Sequence, residues 1–183
     1  MTTTPLKRRA FLSGTAVSAI ALAQTAASRA TAGQVGATNA AFEFEVTRTD
    51  AEWREMLSPP EYVVLRKGST ELPKSNPLWN NVADGSYCCR GCELTVYDSV
   101  WKSDVDKGWV FFEQARENSV LLGTDGEPPY DVYGVPQERR FPSMIEAHCR
   151  RCGSHLGHIL TVGDAGTLHC INGTSLEFLP ATV

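Results

Sequence analysis

Six cysteines and four histidines carry most of the chemistry open to this chain. The cysteines stand at positions 88, 89, 92, 149, 152 and 170, and His148, His155, His158 and His169 all fall in the C-terminal third. Cys89-Arg90-Gly91-Cys92 and Cys149-Arg150-Arg151-Cys152 are two C-x-x-C knuckles. Such a turn points both sulfurs to one side, so two of them supply the four corners of a tetrahedral site. Zinc is the metal suited to four sulfurs with no redox demand. A self-contained zinc ribbon separates its knuckles by about 15–20 residues. Here 56 residues lie between Cys92 and Cys149, so the ion must staple two distant hairpins of a larger fold and leave the chemistry elsewhere. Other readings of the same residues are disulfides, dithiol redox motifs, and iron in place of zinc. A local site of Cys149, Cys152, His155 and His158 is a further alternative, and it would orphan Cys89 and Cys92.

Cys170 belongs to neither knuckle. It sits in Leu168-His169-Cys170-Ile171-Asn172-Gly173, a short β-like run opening into a turn. A single thiol with imidazoles and an amide nearby is a candidate nucleophile, because a neighbouring imidazole favours the thiolate. The plainer alternative is a small buried thiol. In an extended strand Asn172, two residues on, shares the face of Cys170.

The elements that must position these groups are short. Thr49-Asp50-Ala51-Glu52 reads as a capping box, with Thr49 and Glu52 each reaching the other's backbone amide. It opens a helix over 53–57 that stops before Pro59-Pro60. Tyr62-Val63-Val64-Leu65 fits a strand or a further helical turn equally well. Gly108 to Phe112, Gly157 to Val162 and Leu168 to Ile171 read as strands, and Asp125-Gly126 with Pro128-Pro129 marks a loop. The pattern predicts a mainly β, mostly antiparallel domain with one or two short N-terminal helices.

The chain has 183 residues, 17 basic and 21 acidic, for a net charge of −4. With no basic run outside the N-terminus, it lacks the positive face that nucleic-acid binding needs. The first 32 residues differ from the rest. Lys7, Arg8, Arg9 and Arg29 are basic, no acid precedes Glu43, and a soft apolar run too short for a membrane span follows Arg8-Arg9-Ala10-Phe11-Leu12. This segment resembles a twin-arginine export signal, and Ala30-Thr31-Ala32 offers a cleavage site before Gly33. Cleavage there removes four basic groups and leaves an acidic domain of net charge −8 in a periplasmic or otherwise exported compartment. Because that route carries folded proteins, the metal can load first in a reducing cytoplasm. Residues 33–48 read as a linker and 49–183 as the working domain.

Taken together, the motifs carry a family resemblance. Cys149-x-x-Cys152-x-x-His155-Leu156-Gly157-His158, followed by Cys170-Ile171-Asn172 and Ser175-Leu176-x-Phe178, resembles the methionine-R-sulfoxide reductases of the B type. Upstream, Thr70-Glu71-x-Pro73, Tyr87-x-Cys89-x-x-Cys92 and Gly108-Trp109-x-x-Phe112 fall in that family's order, and the match runs over roughly residues 50 to 180. The resemblance implies two antiparallel sheets stapled by a structural zinc on Cys89, Cys92, Cys149 and Cys152. It implies Cys170 as the nucleophile that becomes a sulfenic acid. His155 and His158 would orient and protonate the substrate oxygen, and Asn172 would help to position them. Trp109, with Phe112, would form the apolar floor under the substrate's S-methyl group. The implied partners are oxidised proteins or peptides and an external, thioredoxin-like thiol reductant, with neither nucleic acid nor, after signal removal, a membrane. The implied state is a monomer.

The sequence departs from the family at several places. Val110 and Phe111 stand where Pro-Ser is common, and Met144 and Leu168 where arginines are usual. Lys107 occupies the position that often carries the recycling cysteine, which leaves Cys88 as the candidate resolving thiol. These departures motivate a second reading, a zinc-stapled domain that binds oxidised or hydrophobic peptides without turnover. Cys170, His155, His158 and Asn172 together argue against it, since a binding scaffold needs none of them as a set.

Overall fold

The computed structural model describes residues 42–124 and 144–182. The export signal, most of the linker and the Asp125-to-Pro129 turn lie outside the described residues. Among the described residues nine strands form two antiparallel sheets, with two short helices at the N-terminal side. The smaller sheet has the order β2 (Thr95–Asp98), β1 (Gly85–Cys89), β9 (Leu176–Pro180). The larger has six strands in the order β3 (Lys102–Ser103), β4 (Val110–Phe112), β8 (Thr167–Ile171), β7 (His155–Thr161), β6 (Ile145–Cys149) and β5 (Val120–Thr124). The predicted class is therefore the observed one. No helix of the described residues is long and apolar enough to cross a membrane.

The first helix, α1 (Asp50–Met56), begins directly after the Thr49 cap, three residues ahead of the expected 53–57, because the capping-box residues Asp50, Ala51 and Glu52 are themselves its first turn. Thr49 Oγ1 accepts from the Glu52 amide at 3.3 Å and Glu52 returns the bond to the Thr49 amide at 2.7 Å. Tyr62 to Leu65 turn out to be helical, in α2 (Pro59–Lys67). Pro59-Pro60 ends one helix and opens the next, because the missing amides of prolines at the first positions have no intrahelical acceptor to lose. A second box, Ser58 with Glu61, caps it, and Gly68 closes it in the left-handed conformation. Val64 and Leu65 reach the core while Val63 stays exposed.

The core lies where the two sheets face each other. Tyr97 of β2 stacks on Phe112 of β4 at 4.3 Å, and Tyr87 of β1 meets the same ring edge-on at 5.0 Å. Residues 42–48, read as linker, are docked where they are described. Val46 donates to the Arg151 carbonyl at 2.9 Å, and Glu45 pairs with Arg150 and Arg151 of the second knuckle.

Gly157 leaves no room for a side chain between β7 and β8. A Cβ there would sit 2.1 Å from the Cys170 carbonyl oxygen and 2.8 Å from the Ile171 Cα, both backbone atoms that cannot rotate away. Gly157→Ala must push the two strands apart at Cys170, at a cost of about 1–3 kcal/mol or more. The expected result is a lower urea midpoint with an unchanged slope. An unchanged midpoint would show that the strands are not in van der Waals contact here.

Candidate active site and metal centre

Each C-x-x-C sequence forms the same turn at the end of a strand. Cys89 ends β1 and Cys149 ends β6, and in each turn the amide after the second cysteine bonds back to the first cysteine's carbonyl at 2.8 Å. That residue is left-handed in both, Glu93 with φ 61° and Gly153 with φ 68°. The sulfurs meet across the sheets: Cys89 and Cys152 are 3.7 Å apart, and Cys92 and Cys149 are 3.4 Å apart. All four lie within 4.8 Å of one another. Four thiolates at about 2.3 Å from a tetrahedral zinc stand about 3.8 Å from one another, so the donors and their spacing fit that ion. Buried Arg66 lies alongside, donating to the Cys152 carbonyl at 3.2 Å and stacking on Trp53 at 4.5 Å. A cation there offsets the net negative charge of a zinc tetrathiolate. The local alternative does not form, because Cys149 and Cys152 converge on the first knuckle while His155 turns toward Glu146.

The thiol and imidazoles assemble on the middle of the larger sheet. Across β6, β7 and β8 the register places Glu146 opposite His158 and His158 opposite Cys170, and β4 sets Phe111 on the other side of Cys170. His155 and His158 are three apart, so in a regular strand they would face opposite ways. The register shift between Ala147 and His148 inserts one extra residue of β7, and this bulge returns both rings to one side. Their centroids are 5.2 Å apart, and His148 adds a third ring 5.7 Å from His155. Glu146, only 2% exposed, lies 2.9 Å from His148 Nε2, 3.5 Å from His155 Nδ1 and 3.9 Å from His158 Nε2. Burial, reinforced by His158 and His148, holds His155 well below the usual histidine range.

A second set of residues supports the site from below. Asn172, just past β8, is buried, donates to the Leu156 carbonyl and accepts from the Glu71 amide, both at 3.0 Å. The Glu71 carboxylate accepts from the Gly173 amide at 2.6 Å and from the Thr174 amide at 2.8 Å. Its carbonyl accepts from Trp109 Nε1 at 3.1 Å. Glu71 thus ties the Trp109 ring, Asn172 and the turn after Cys170 into one unit. Trp109 remains partly exposed, whereas Phe112 is fully buried under Tyr97. The aromatic that shares a sheet face with Cys170 is Phe111, buried opposite it, so of the two residues expected to form the floor only Trp109 has surface to offer. His169 points the other way, to the Tyr97 hydroxyl at 3.1 Å. Cys88 is 2% exposed in the smaller sheet, with its sulfur 3.4 Å from Thr95 Oγ1.

Glu71 appears in the sequence motif without a role, and Glu146 and His148 do not appear in it at all. Their signal was Glu-x-His immediately ahead of the second knuckle, a spacing that puts both side chains on one face of a strand.

Burial, with the Glu71 carboxylate adding to it, pushes the Cys170 thiol up to about 12. The neutral thiol is therefore the resting form at pH 7, and thiolate accumulates as pH rises toward that value. Alkylation of Cys170 by iodoacetamide in the substrate-free protein should be slow at pH 7 and climb about tenfold per pH unit through pH 10, since only the thiolate reacts. Peptide mapping measures it, and a rate that levels off below pH 9 would contradict it.

A thiol beside an imidazole on a two-sheet scaffold, with four clustered cysteines able to hold a metal, defines a thiol-dependent redox enzyme site. Residues 57–180 match the SelR domain. Over 139 residues the chain is 34% identical to a peptide methionine sulfoxide reductase MsrB from Agrobacterium fabrum, covering 74% of this chain and 94% of that protein. An MsrB from Thiobacillus denitrificans is 36% identical over 136 residues, 73% of this chain and 94% of its own. Peptide methionine sulfoxide reductase B3 of Arabidopsis thaliana is 34% identical over 140 residues, 74% of this chain and 72% of its own. The chain belongs to the SelR domain family.

Proposed function

We propose that this protein is a peptide-methionine sulfoxide reductase acting on protein-bound methionine-R-sulfoxide. The observation that carries the reading is the cross-strand row that sets Cys170 beside His158, with His155 brought to the same side by the bulge. Relatives carrying the reductase name match nearly the whole described domain, which favours the enzyme over the peptide-binding reading.

A sulfoxide sulfur is electrophilic and its oxygen basic, so the reaction needs a thiolate, an acid and an apolar rest for the methyl group. Entry of substrate over Trp109 brings its oxygen to the histidines. The Cys170 thiol, high in the resting protein, gives up its proton toward this basic oxygen as its sulfur attacks. The S–O bond to methionine breaks, and oxygen and proton end on Cys170 as sulfenic acid. Methionine sulfur gains two electrons and Cys170 sulfur loses them. An external dithiol then attacks the sulfenic acid, water leaves, and its second thiol frees Cys170 as the reductant becomes a disulfide. The four cysteines would hold zinc, which clamps the two hairpins and takes no part in these steps.

Export through the twin-arginine route, with cleavage before Gly33, makes the substrates oxidised exported proteins. Its test is the N-terminal sequence of the mature protein from an export-competent host: Gly33 first supports it, and retained Met1 would overturn it. For the reaction, the test is turnover of the two epimers of a methionine sulfoxide peptide with dithiothreitol. Conversion of the R epimer and not the S epimer is expected, and conversion of neither would leave only a binding domain. Cys88→Ser should keep its turnover with thioredoxin, because Cys170 is reduced directly; loss of recycling in that variant would make Cys88 the resolving thiol.

A further inference from the structure

We propose that Glu146, His148 and His155 form a second metal site, for a first-row divalent cation, apart from the four cysteines. The three donor atoms lie within 4.8 Å of one another on the β6–β7 hairpin. Glu146 presents one carboxylate oxygen 2.9 Å from His148 Nε2 and the other 3.5 Å from His155 Nδ1. Ligands about 2.0–2.2 Å from a tetrahedral ion stand about 3.3–3.6 Å from one another, so small side-chain shifts suffice to close the site. Two imidazoles and a carboxylate form a donor set that suits zinc, cobalt, nickel and copper and contains no sulfur.

Two further observations point to a ligand there. His155 is wholly buried, and among the described residues neither of its ring nitrogens has a hydrogen-bond partner. A buried polar atom left unpaired is costly, and coordination would satisfy Nδ1. Glu146 is a buried carboxylate, and the basic groups within 4 Å of it among the described residues are the imidazoles of His148, His155 and His158, each charged only when protonated. A divalent cation would supply positive charge beside this carboxylate. His148 precedes the zinc-site residue Cys149 directly, but neighbours on a strand point to opposite faces, so the two centres share a backbone and not a pocket.

On the reductase reading above, an ion held by His155 would also slow turnover, but the test of the site is binding itself. The full chain, carrying one equivalent of zinc on its cysteines, is titrated with Co2+. A further equivalent should bind with weak visible ligand-field bands and no growth of thiolate-to-cobalt charge transfer in the near ultraviolet. X-ray absorption at the cobalt edge should show nitrogen and oxygen scatterers with an imidazole signature. Glu146→Gln and His148→Ala should each weaken this equivalent by at least about tenfold, since loss of a mere outer-shell partner already costs about 10–100-fold. If a variant loses its zinc equivalent and fold, the wild-type cobalt-edge spectrum decides alone. Absence of the further equivalent, sulfur in its first shell, or undiminished affinity in either folded variant would overturn the site.

Discussion

Cys170→Ser should abolish sulfoxide reduction under any thiol reductant while leaving the fold intact. The change replaces one sulfur by one oxygen at a half-buried position and disturbs none of the backbone pairing of Cys170 with Phe111 and His158. On the proposed mechanism it removes the sulfur that accepts oxygen from the sulfoxide and carries it as a reducible sulfenic acid. Loss of a covalent nucleophile deletes the route rather than one stabilising contact, so the expected fall in kcat exceeds about a thousandfold. Zinc content and thermal midpoint should match the parent. Retained activity in this variant, measured on the R-sulfoxide peptide, would remove Cys170 from the mechanism.

Cys92→Ser should do the reverse, destroying the fold and only through it the activity. The two knuckles end strands of different sheets, and an ion on their four sulfurs would hold β1 against β6. Structural zinc contributes about 10–16 kcal/mol of apparent binding energy in small domains, against a net stability of about 5–15 kcal/mol for a typical protein. Losing one thiolate, or the ion to a strong chelator, should therefore eliminate the cooperative transition, as read by circular dichroism and urea titration. A folded, active, zinc-free protein would contradict the role assigned to these cysteines.

Residues whose meaning is local were legible in the sequence. The Thr49–Glu52 box, the two knuckles and the runs around β4, β7 and β8 depend on neighbours a few positions away, and each appears where the sequence puts it. α2 was ambiguous because Tyr-Val-Val-Leu is too short to show a period and two prolines read as a stop. The grouping of His155 with His158 was suggested by the family likeness, but its cause, a bulge defined by pairing with β6, has no signature within β7 itself. Glu146 and His148 show in the sequence only as a Glu-x-His spacing, since a buried carboxylate among three imidazoles exists only once β6 lies beside β7. The likeness implies a pocket role for Phe112; its side chain is fully buried, and the register of this strand sets Phe111 opposite Cys170.

The central claim is that Cys170 takes oxygen from methionine sulfoxide. Its most direct test is mass spectrometry of the reduced protein after one equivalent of R-sulfoxide peptide, with a sulfenic-acid trap and no reductant. One added oxygen, trapped on the peptide containing Cys170 with one methionine released per protein, is the predicted result. Unmodified Cys170 with the sulfoxide recovered intact, or oxygen found on another residue, would contradict it.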